Sequence, residues 1–319
     1  MRRLFANANY DFIAMRKRAY IASAAALMLG LVFAIFYETT RGSWLNYGVD
    51  FVGGTLMQVR FDQGVTSAGD LRAIIEPAFA GTQISEFGSG DEFLIRTPIA
   101  GEATSGAADV IPDLLQAEYG EGTFDVLLTE AVGAKVGGEL QSRAALAILL
   151  SFAATLVYLA MRFEWRFGLA SIVATVHDIL LTLALISVLQ LEVAPPTVAA
   201  VLTIVGYSLN DTIVIFDRIR ENLLIAGRRA DFMATLNRSI NETLPRTVIT
   251  STTTLVTLLA LFLFGGSVIR DFTLIMIVGI VLGTYSSIFV ASPALLMIEK
   301  RWPGDRKKAR IPRAAKVAV

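Results

Sequence analysis

Long apolar segments separated by short polar ones dominate the chain and predict a helical protein that crosses a membrane several times. Each segment is about as long as a bilayer-spanning helix, for which roughly 20 apolar residues suffice. The six predicted spans cover residues 19–37, 143–161, 168–189, 198–216, 247–264 and 272–297. No convincing small-residue cleavage site follows the first span before Trp44, so we interpret that span as a retained signal anchor.

The long polar segment 38–139 predicts a folded domain between the first two spans. Apolar residues alternate with polar ones from Met57 to Phe61, which is the period of a half-buried strand. Ser67 followed by Asp70 is typical of the start of a helix. The remaining predicted elements are strands over 82–87 and 92–97 joined by a hairpin connection at 88–91, a helix over 107–119 that Pro112 makes begin late or bend, and a strand over 124–128. This β-α-β-β-α-β order predicts a small ferredoxin-like α+β domain.

Charge assigns sides to these segments. The 319 residues are 54% hydrophobic, with a mean hydropathy of +0.59 and a formal net charge of zero. The zero hides a segregation, because residues 38–139 are strongly acidic whereas the lead 1–18 and the tail 299–319 are basic. Basic segments stay on the cytoplasmic side. The pattern therefore predicts cytoplasmic termini and an outer, periplasmic domain at 38–139, and it is a topology signal rather than a sign of nucleic-acid binding.

The five-span remainder, residues 140–298, contains one long inner loop at 217–246. Its apolar residues recur every four positions among charged ones, a spacing that predicts an amphipathic helix lying on the inner membrane surface. The apolar positions are Phe232, Leu236, Ile240 and Leu244.

Several classes of site are excluded by residue type. The chain has no cysteine and one histidine, so disulfides, thiolate metal sites and a structural zinc site are not expected. Gly53 and Gly54 beside Asp50 lack the Lys-Ser/Thr pair of a phosphate cradle and more simply indicate a tight turn. No pattern indicates a cofactor or covalent chemistry, so we do not expect an enzyme.

The fourth span contains an acid where apolar residues are expected. Asn210 and Asp211 lie well inside the apolar run that ends before Asp217. A carboxylate at such a position costs roughly 2.5 to 3.5 kcal/mol on insertion scales. Asp211 is therefore a candidate proton carrier. The alternative is a packing role in which it hydrogen-bonds Asn210, Ser208 or a neighbouring span.

The third, fifth and sixth spans carry further polar positions. His177 and Asp178 form a possible relay, although their order puts them on different faces of one helix and a packing role is at least as reasonable. Thr250 belongs to a run of hydroxyls that either lines a wet path or joins helices. Gly279 and Gly283 are spaced for close helix packing.

Motifs along nearly the whole chain resemble those of the SecF family, the smaller partner in the SecDF protein-export complexes. The strongest is the fourth-span sequence from Gly206 to Asn222, which includes Asp211. The others are Tyr10-Asp-Phe12, Gly48-Val-Asp-Phe-Val-Gly-Gly-Thr55, Arg162-Phe-Glu-Trp-Arg-Phe-Gly168, His177-Asp178, Asn241-Glu-Thr-Leu-Pro-Arg-Thr247 and Gly283-Thr-Tyr-Ser-Ser-Ile-Phe-Val-Ala-Ser-Pro293.

The resemblance implies one six-span half of a proton-driven unit of the resistance-nodulation-division superfamily, located in the bacterial inner membrane among its lipids. A SecD-like protein would supply the other half. The further partners implied are the SecYEG translocon, YajC and YidC as additional candidates, and an unfolded secretory polypeptide. The resemblance also assigns the proton path to Asp211 and Arg246, whereas position alone would make Arg246 an anchor at the inner membrane surface.

Two alternatives belong to other classes. A small-molecule or lipid exporter of the same superfamily would need a substrate-sized cavity in the outer domain or between the spans. A purely structural scaffold for the translocon would make substitution of Asp211 silent.

Overall fold

The computed structural model describes residues 8–62, 64–87, 91–98, 106–227, 231–266 and 269–303. Parts of the predicted lead, hairpin connection and tail, at 1–7, 88–90 and 304–319, lie outside the described residues. The helices are α1 (Arg16–Arg41), α2 (Val49–Val52), α3 (Ala68–Ile75), α4 (Gly106–Tyr119), α5 (Ala134–Arg162), α6 (Trp165–Leu189), α7 (Pro195–Ala226), α8 (Phe232–Phe264), α9 (Arg270–Ser286) and α10 (Ser292–Arg301). The strands are β1 (Asn46–Tyr47), β2 (Gly54–Phe61), β3 (Gln83–Phe87), β4 (Glu92–Pro98), β5 (Phe124–Val132) and β6 (Glu192–Val193).

Six helical segments within the described part of the chain are long and apolar enough to cross a membrane. They are α1, α5, α6, α7, α8 and the continuous segment from α9 to α10. Each contains one predicted span, which confirms the six-span prediction. A π-helical turn, Ser287–Ala291, joins α9 to α10 inside the last segment.

Two parallel helices, α7 and α9, form the centre of the membrane domain. Their close approach depends on glycine, because a Cβ on Gly279 would meet Ile204 at 2.1 Å and one on Gly283 would meet Ser208 at 2.9 Å. These contacts support the packing role predicted for the two glycines. Helix α6 packs on the same pair, whereas α5 leaves most of its surface exposed.

The outer domain contains a four-stranded antiparallel sheet in the order β3-β4-β2-β5. Helices α3 and α4 pack on the sheet, and the predicted element order β-α-β-β-α-β is present. A reciprocal capping box between Ser67 and Asp70 begins α3 as predicted. The late start expected for α4 is wrong, because this helix begins at Gly106 and runs through Pro112.

The two domains meet at a junction that the sequence did not predict. Strand β1, just after α1, pairs in parallel with β6, just before α7. The short helix α2 follows β1 and leads into β2 through Gly53 (φ 82°) and Gly54 (φ 148°). A Cβ on Gly54 would meet the Thr97 carbonyl oxygen at 2.4 Å. The glycine pair therefore makes the tight turn expected of it.

The prediction that residues 217–246 form a separate loop is wrong, because most of them are helical. Residues up to Ala226 continue α7, and residues from Phe232 already belong to α8, which runs through Pro245 into the fifth span. The predicted amphipathic helix exists, and its apolar side packs in the core formed with α6, α7 and α10. The core positions are Leu236, Ile240 and Leu244.

Candidate functional site

Asp211 lies at the meeting point of three helices. It is on α7 and only 3% exposed, and its Oδ2 atom has no hydrogen-bond partner within the described parts of the chain. From α9, Thr284 is within hydrogen-bonding reach of the carboxyl group. The Thr284 hydroxyl also bonds Ser251 of α8 at 2.7 Å. One carboxylate oxygen is therefore buried among polar groups and left free to bind a proton.

The antiparallel register of α7 and α8 fixes the level of Arg246. Asn222 donates to Ser239 at 3.0 Å, and Tyr207 donates to Thr254 at 3.4 Å. Counting along both helices from these contacts places Thr250 level with Asp211. Arg246 is then one helical turn nearer the α7–α8 connection, about 6 Å along the axis.

Arg246 faces Asp211 without touching it. The guanidinium acts on the carboxyl group electrostatically, yet the ion pairs found among the described residues do not include Arg246. Its side chain is exposed in the isolated chain. The sequence had left open whether the two residues pair directly. In this structure they are separate neighbours.

Hydroxyl groups cover the α8 surface between these residues. The Thr250 hydroxyl donates to the carbonyl oxygens of Arg246 and Thr247, both at 3.0 Å. The Thr247 Oγ1 atom is buried and has no partner in the described residues. These contacts keep the Thr250 hydroxyl on its own helix, and whether the hydroxyl run lines a wet path or joins helices stays a prediction.

Asp178 is a second buried acid, but its surroundings differ. It is 1% exposed on α6, and its Oδ2 accepts hydrogen bonds from Ser208 of α7 at 2.5 Å and Ser286 of α9 at 2.6 Å. Its Oδ1 lies 2.9 Å from His177 Nδ1. The two neighbours project to different sides of α6 as predicted, and the imidazole still reaches the carboxylate.

His177 extends this network to α1. Its Nε2 lies 2.9 Å from Ser23 Oγ, which is 3.1 Å from the Tyr285 hydroxyl. Tyr285 in turn donates to the Ala19 carbonyl at 2.7 Å. His177 and Asp178 therefore lie within a continuous chain of hydrogen bonds that joins α1, α6, α7 and α9.

The two remaining candidates, Ser208 and Asn210, have different surroundings. Ser208 bonds Asp178 rather than Asp211, and Asn210 is exposed. The predicted packing alternative had Asp211 bond Asn210, Ser208 or a neighbouring span. Of these, the contact with a neighbouring span is present, because Thr284 of α9 is within reach of the carboxyl group. Sequence reasoning gave no role to Thr284 or Ser286. Their signal was available, because four hydroxyl residues in succession after Gly283 are unusual inside an apolar span. A π-helical turn, a feature frequent at functional sites, begins at the last of them.

The described residues contain no group of three or more His, Cys, Asp or Glu side chains able to hold a metal ion.

The fold and the site define a helical, multi-pass membrane protein with buried acids in its spans and an α+β domain attached at one end. The family described as "Protein export membrane protein SecD/SecF, C-terminal" matches residues 115–301, and the "SecD/SecF GG Motif" matches residues 42–65. The chain belongs to the SecF family of protein translocase subunits.

Relatives match the chain over nearly its full length. A protein translocase subunit SecF from Gemmatimonas aurantiaca is 44% identical, with 100% of this chain and 96% of the relative covered. One from Desulfurispirillum indicum is 42% identical, with 90% and 92% covered. These matches confirm the family on which the sequence motifs converged.

Solved structures of SecDF are similar to the chain as well. The crystal structure of SecDF from Thermus thermophilus, described as a translocon-associated membrane protein, is 40% identical with a TM-score of 0.76. SecDF in a "Super-membrane-facing form" is 38% identical with a TM-score of 0.64. The chain is covered to 92% and 93%, but it spans only 39% of each of those longer chains.

Proposed function

We propose that this chain is an accessory subunit of the protein-export machinery that uses the proton motive force, together with a SecD partner, to promote late translocation and release of secretory proteins. The observation that carries the proposal is the buried Asp211 carboxylate, one oxygen of which has no partner among the residues that the structure describes. Intramembrane acids of this kind are expensive and mark proton or ion pathways. The proton gradient supplies about 2.3 kcal/mol per elementary charge per 100 mV in its electrical part.

In this mechanism Asp211 takes up and releases the proton. Arg246, one turn away, favours the charged carboxylate by its positive charge, while the surrounding apolar helices favour the neutral acid. The Thr284 hydroxyl of α9 orients the carboxyl group and is itself held by Ser251 of α8. Small shifts of α8 relative to α7 would change the balance between these opposing effects, and the proton would then be loaded or released.

The His177–Asp178 pair has a secondary role in this proposal. Both oxygens of Asp178 already have partners, so the carboxylate is held by hydrogen bonds from three sides. Such a network fixes helix positions. We assign it to holding α6, α7 and α9 around Asp211, with Asp211 as the carrier.

The exposed polar face of α8 supports a partner half. Arg246, Thr253 and Thr257 share one side of the helix and are exposed in the isolated chain. An arginine in a spanning helix normally faces a bundle interior or a water-filled cavity rather than lipid. A SecD-like six-span half covering this face would complete the site. The SecYEG translocon, YajC, YidC and an unfolded secretory polypeptide are the further partners of this proposal.

The proposed topology follows the charge segregation of the chain. Both termini are cytoplasmic, and the domain at 38–139, with a ferredoxin-like arrangement, is periplasmic. Basic segments at 1–18 and 299–319 flank the membrane domain, and the outer segment is acidic. The observed sheet order β3-β4-β2-β5 supports the ferredoxin-like assignment, since the third strand of the domain lies between the first and second.

The test is Asp211→Asn in the complex with its SecD partner, reconstituted with the translocon in sealed vesicles. This substitution keeps the size of the side chain and removes its titration. We expect assembly to be retained and the stimulation of export by a proton gradient to be abolished.

The matched control is Asp217→Asn on the same helix. Asp217 is half-exposed and forms ion pairs with Arg162 at 2.7 Å and Arg220 at 3.5 Å near the inner end. This variant should keep gradient-dependent stimulation. Normal stimulation by Asp211→Asn would refute proton carriage by this residue.

A further inference from the structure

A buried ion pair connects the outer domain to the membrane domain. Arg96 lies on β4, in the interior of the outer sheet, and its guanidinium donates to the Glu192 carboxylate of β6. Both side chains are largely buried, at 23% and 19% exposure. The contact joins residues 96 positions apart in the chain and crosses from one domain to the other.

Glu192 is also bound to the beginnings of the two central helices. Its backbone N–H donates to Asp271 Oδ2, in the first turn of α9, at 2.8 Å. Its carbonyl accepts from the Thr197 hydroxyl, in the first turn of α7, at 2.6 Å. Helix α7 carries Asp211, and α9 carries Thr284. Glu192 therefore lies where the outer domain, α7 and α9 converge.

The Glu192 side chain has little freedom to move. A Cβ on Gly48 would meet Glu192 Oε1 at 2.5 Å, so the carboxylate packs directly on the backbone of the junction. The pairing of Glu192 with Asn46 in the β1–β6 ladder holds its main chain. A movement of the guanidinium partner is thus transmitted to β6 instead of being absorbed by the side chain.

The charges around Glu192 are unbalanced without Arg96. Burial raises the pKa of Glu192 above its ordinary value of 4.5, Arg96 opposes that shift, and the carboxylates of Asp271 and Asp50 add to it. Burying an ionised carboxylate is unfavourable unless it is paired. Arg96 is the group that makes an ionised Glu192 tolerable beside two other acids.

We propose that Arg96 and Glu192 form an ionic joint that transmits the position of the outer domain to α7 and α9. They are positioning residues for export and take no part in carrying the proton. The proposal deepens the proposed function, on which its role in coupling rests, while the docking of the domain by this ion pair is independent of proton carriage.

The joint is tested by distance measurement in the full complex with the SecD partner in lipid vesicles. The chain has no native cysteine. Spin labels attached at Glu118→Cys on α4 and Leu189→Cys at the end of α6 are therefore the only two labels that this chain carries. We expect one narrow distance distribution for the otherwise unaltered chain at neutral pH. Arg96→Gln should broaden it by shifting the ratio of docked to undocked domains about tenfold, which corresponds to about 1.4 kcal/mol.

Two rescues separate an electrostatic joint from simple packing. Adding Glu192→Gln to Arg96→Gln replaces the lone buried charge with a neutral, hydrogen-bonding pair and should restore the narrow distribution. Lowering the pH toward 4.5 should also restore docking in Arg96→Gln, because a raised pKa makes protonated Glu192 favour the docked state. That effect is lost as the pH rises through the raised pKa.

The control is Arg60→Gln, which removes the Arg60–Glu92 ion pair of the same sheet (2.5 Å) without touching the junction. It should leave the distribution narrow. A narrow distribution for Arg96→Gln, or a double variant as broad as the single one, would overturn the joint.

The two proposals fail separately. If Asp211→Asn abolishes gradient-dependent export while Arg96→Gln leaves the distance narrow, proton carriage stands and the joint does not. If Arg96→Gln releases the domain while Asp211→Asn exports normally, the joint stands and proton carriage by Asp211 does not.

Discussion

The two buried aspartates occupy neighbouring places in the helix bundle but have opposite surroundings. Asp178 uses both carboxylate oxygens, with donors from α7 and α9 and the imidazole beside it. Asp211 has a buried oxygen that no group in the described chain satisfies, and its arginine neighbour is one turn away rather than in contact. Ser208, only three residues before Asp211, donates to Asp178 instead.

The difference shows how one helix bundle uses one buried acid to hold its helices together and, in our proposal, another to carry a proton. A carboxylate that accepts hydrogen bonds from several helices ties those helices together and is costly to remove. A carboxylate with a free oxygen and balanced surroundings exchanges a proton at lower cost. The same residue type thus serves structure at position 178 and, in our proposal, transport at position 211.

The largest effect is expected from comparing Asp178→Ala with Asp211→Ala. Both substitutions remove the same atoms, but the first breaks hydrogen bonds with Ser208, Ser286 and His177, whereas the second breaks only the contact with Thr284. Side-chain hydrogen bonds within membranes average about 0.6 kcal/mol, so losing three instead of one should make Asp178→Ala less stable than Asp211→Ala by about 1.2 kcal/mol. Thermal unfolding of the two variants in the same detergent measures the difference. Equal stabilities would show that the hydrogen bonds of Asp178 do not hold the bundle.

A smaller effect is expected at the contact that brings Ser208 to Asp178. A Cβ on Gly283 would lie 2.9 Å from the Ser208 Cβ, so Gly283→Ala must push α9 away from α7, at a cost of about 1 kcal/mol. The control is Gly206→Ala, because a Cβ at Gly206 meets nothing within 4 Å. That variant should be more stable by about 1 kcal/mol, since alanine favours helix. Unfolding midpoints that move in the same direction would contradict the proposed close contact.

Much of the fold followed from periodicity in the sequence. The apolar runs predicted all six spans, and the alternation around Met57 and the Ser67–Asp70 pair predicted the outer elements. The inner loop at 217–246 was mispredicted for a physical reason. Asp217, Arg218 and Arg220 were interpreted as marking the membrane edge. Arg218 instead pairs with Glu242 of α8 at 2.6 Å, and both helices continue through this region.

The site was predictable only in part. An acidic residue is conspicuous within an apolar run, so Asp211 and Asp178 were found from the sequence. Whether a buried carboxylate has hydrogen-bond partners depends on which residues face it from other helices. The sequence pattern along one helix does not reveal those residues. The same limit concealed Thr284 and the Arg96–Glu192 contact, whose partners are brought together by helix register and by the docking of one domain on another.

The smallest effect is expected from Thr284→Val, which keeps the shape of the side chain and removes the hydroxyl shared by Ser251 and the Asp211 carboxyl group. Stability should fall by about 0.6 kcal/mol, the mean for an intramembrane hydrogen bond. Because the carboxyl group also loses its orienting neighbour, gradient-dependent export should fall, whereas gradient-independent export should not change. The matched control is Thr203→Val on α7, whose exposed hydroxyl donates to the Ala199 carbonyl of its own helix at 2.7 Å. If both variants export equally under a gradient, Thr284 does not orient Asp211, and the free oxygen alone distinguishes the two aspartates.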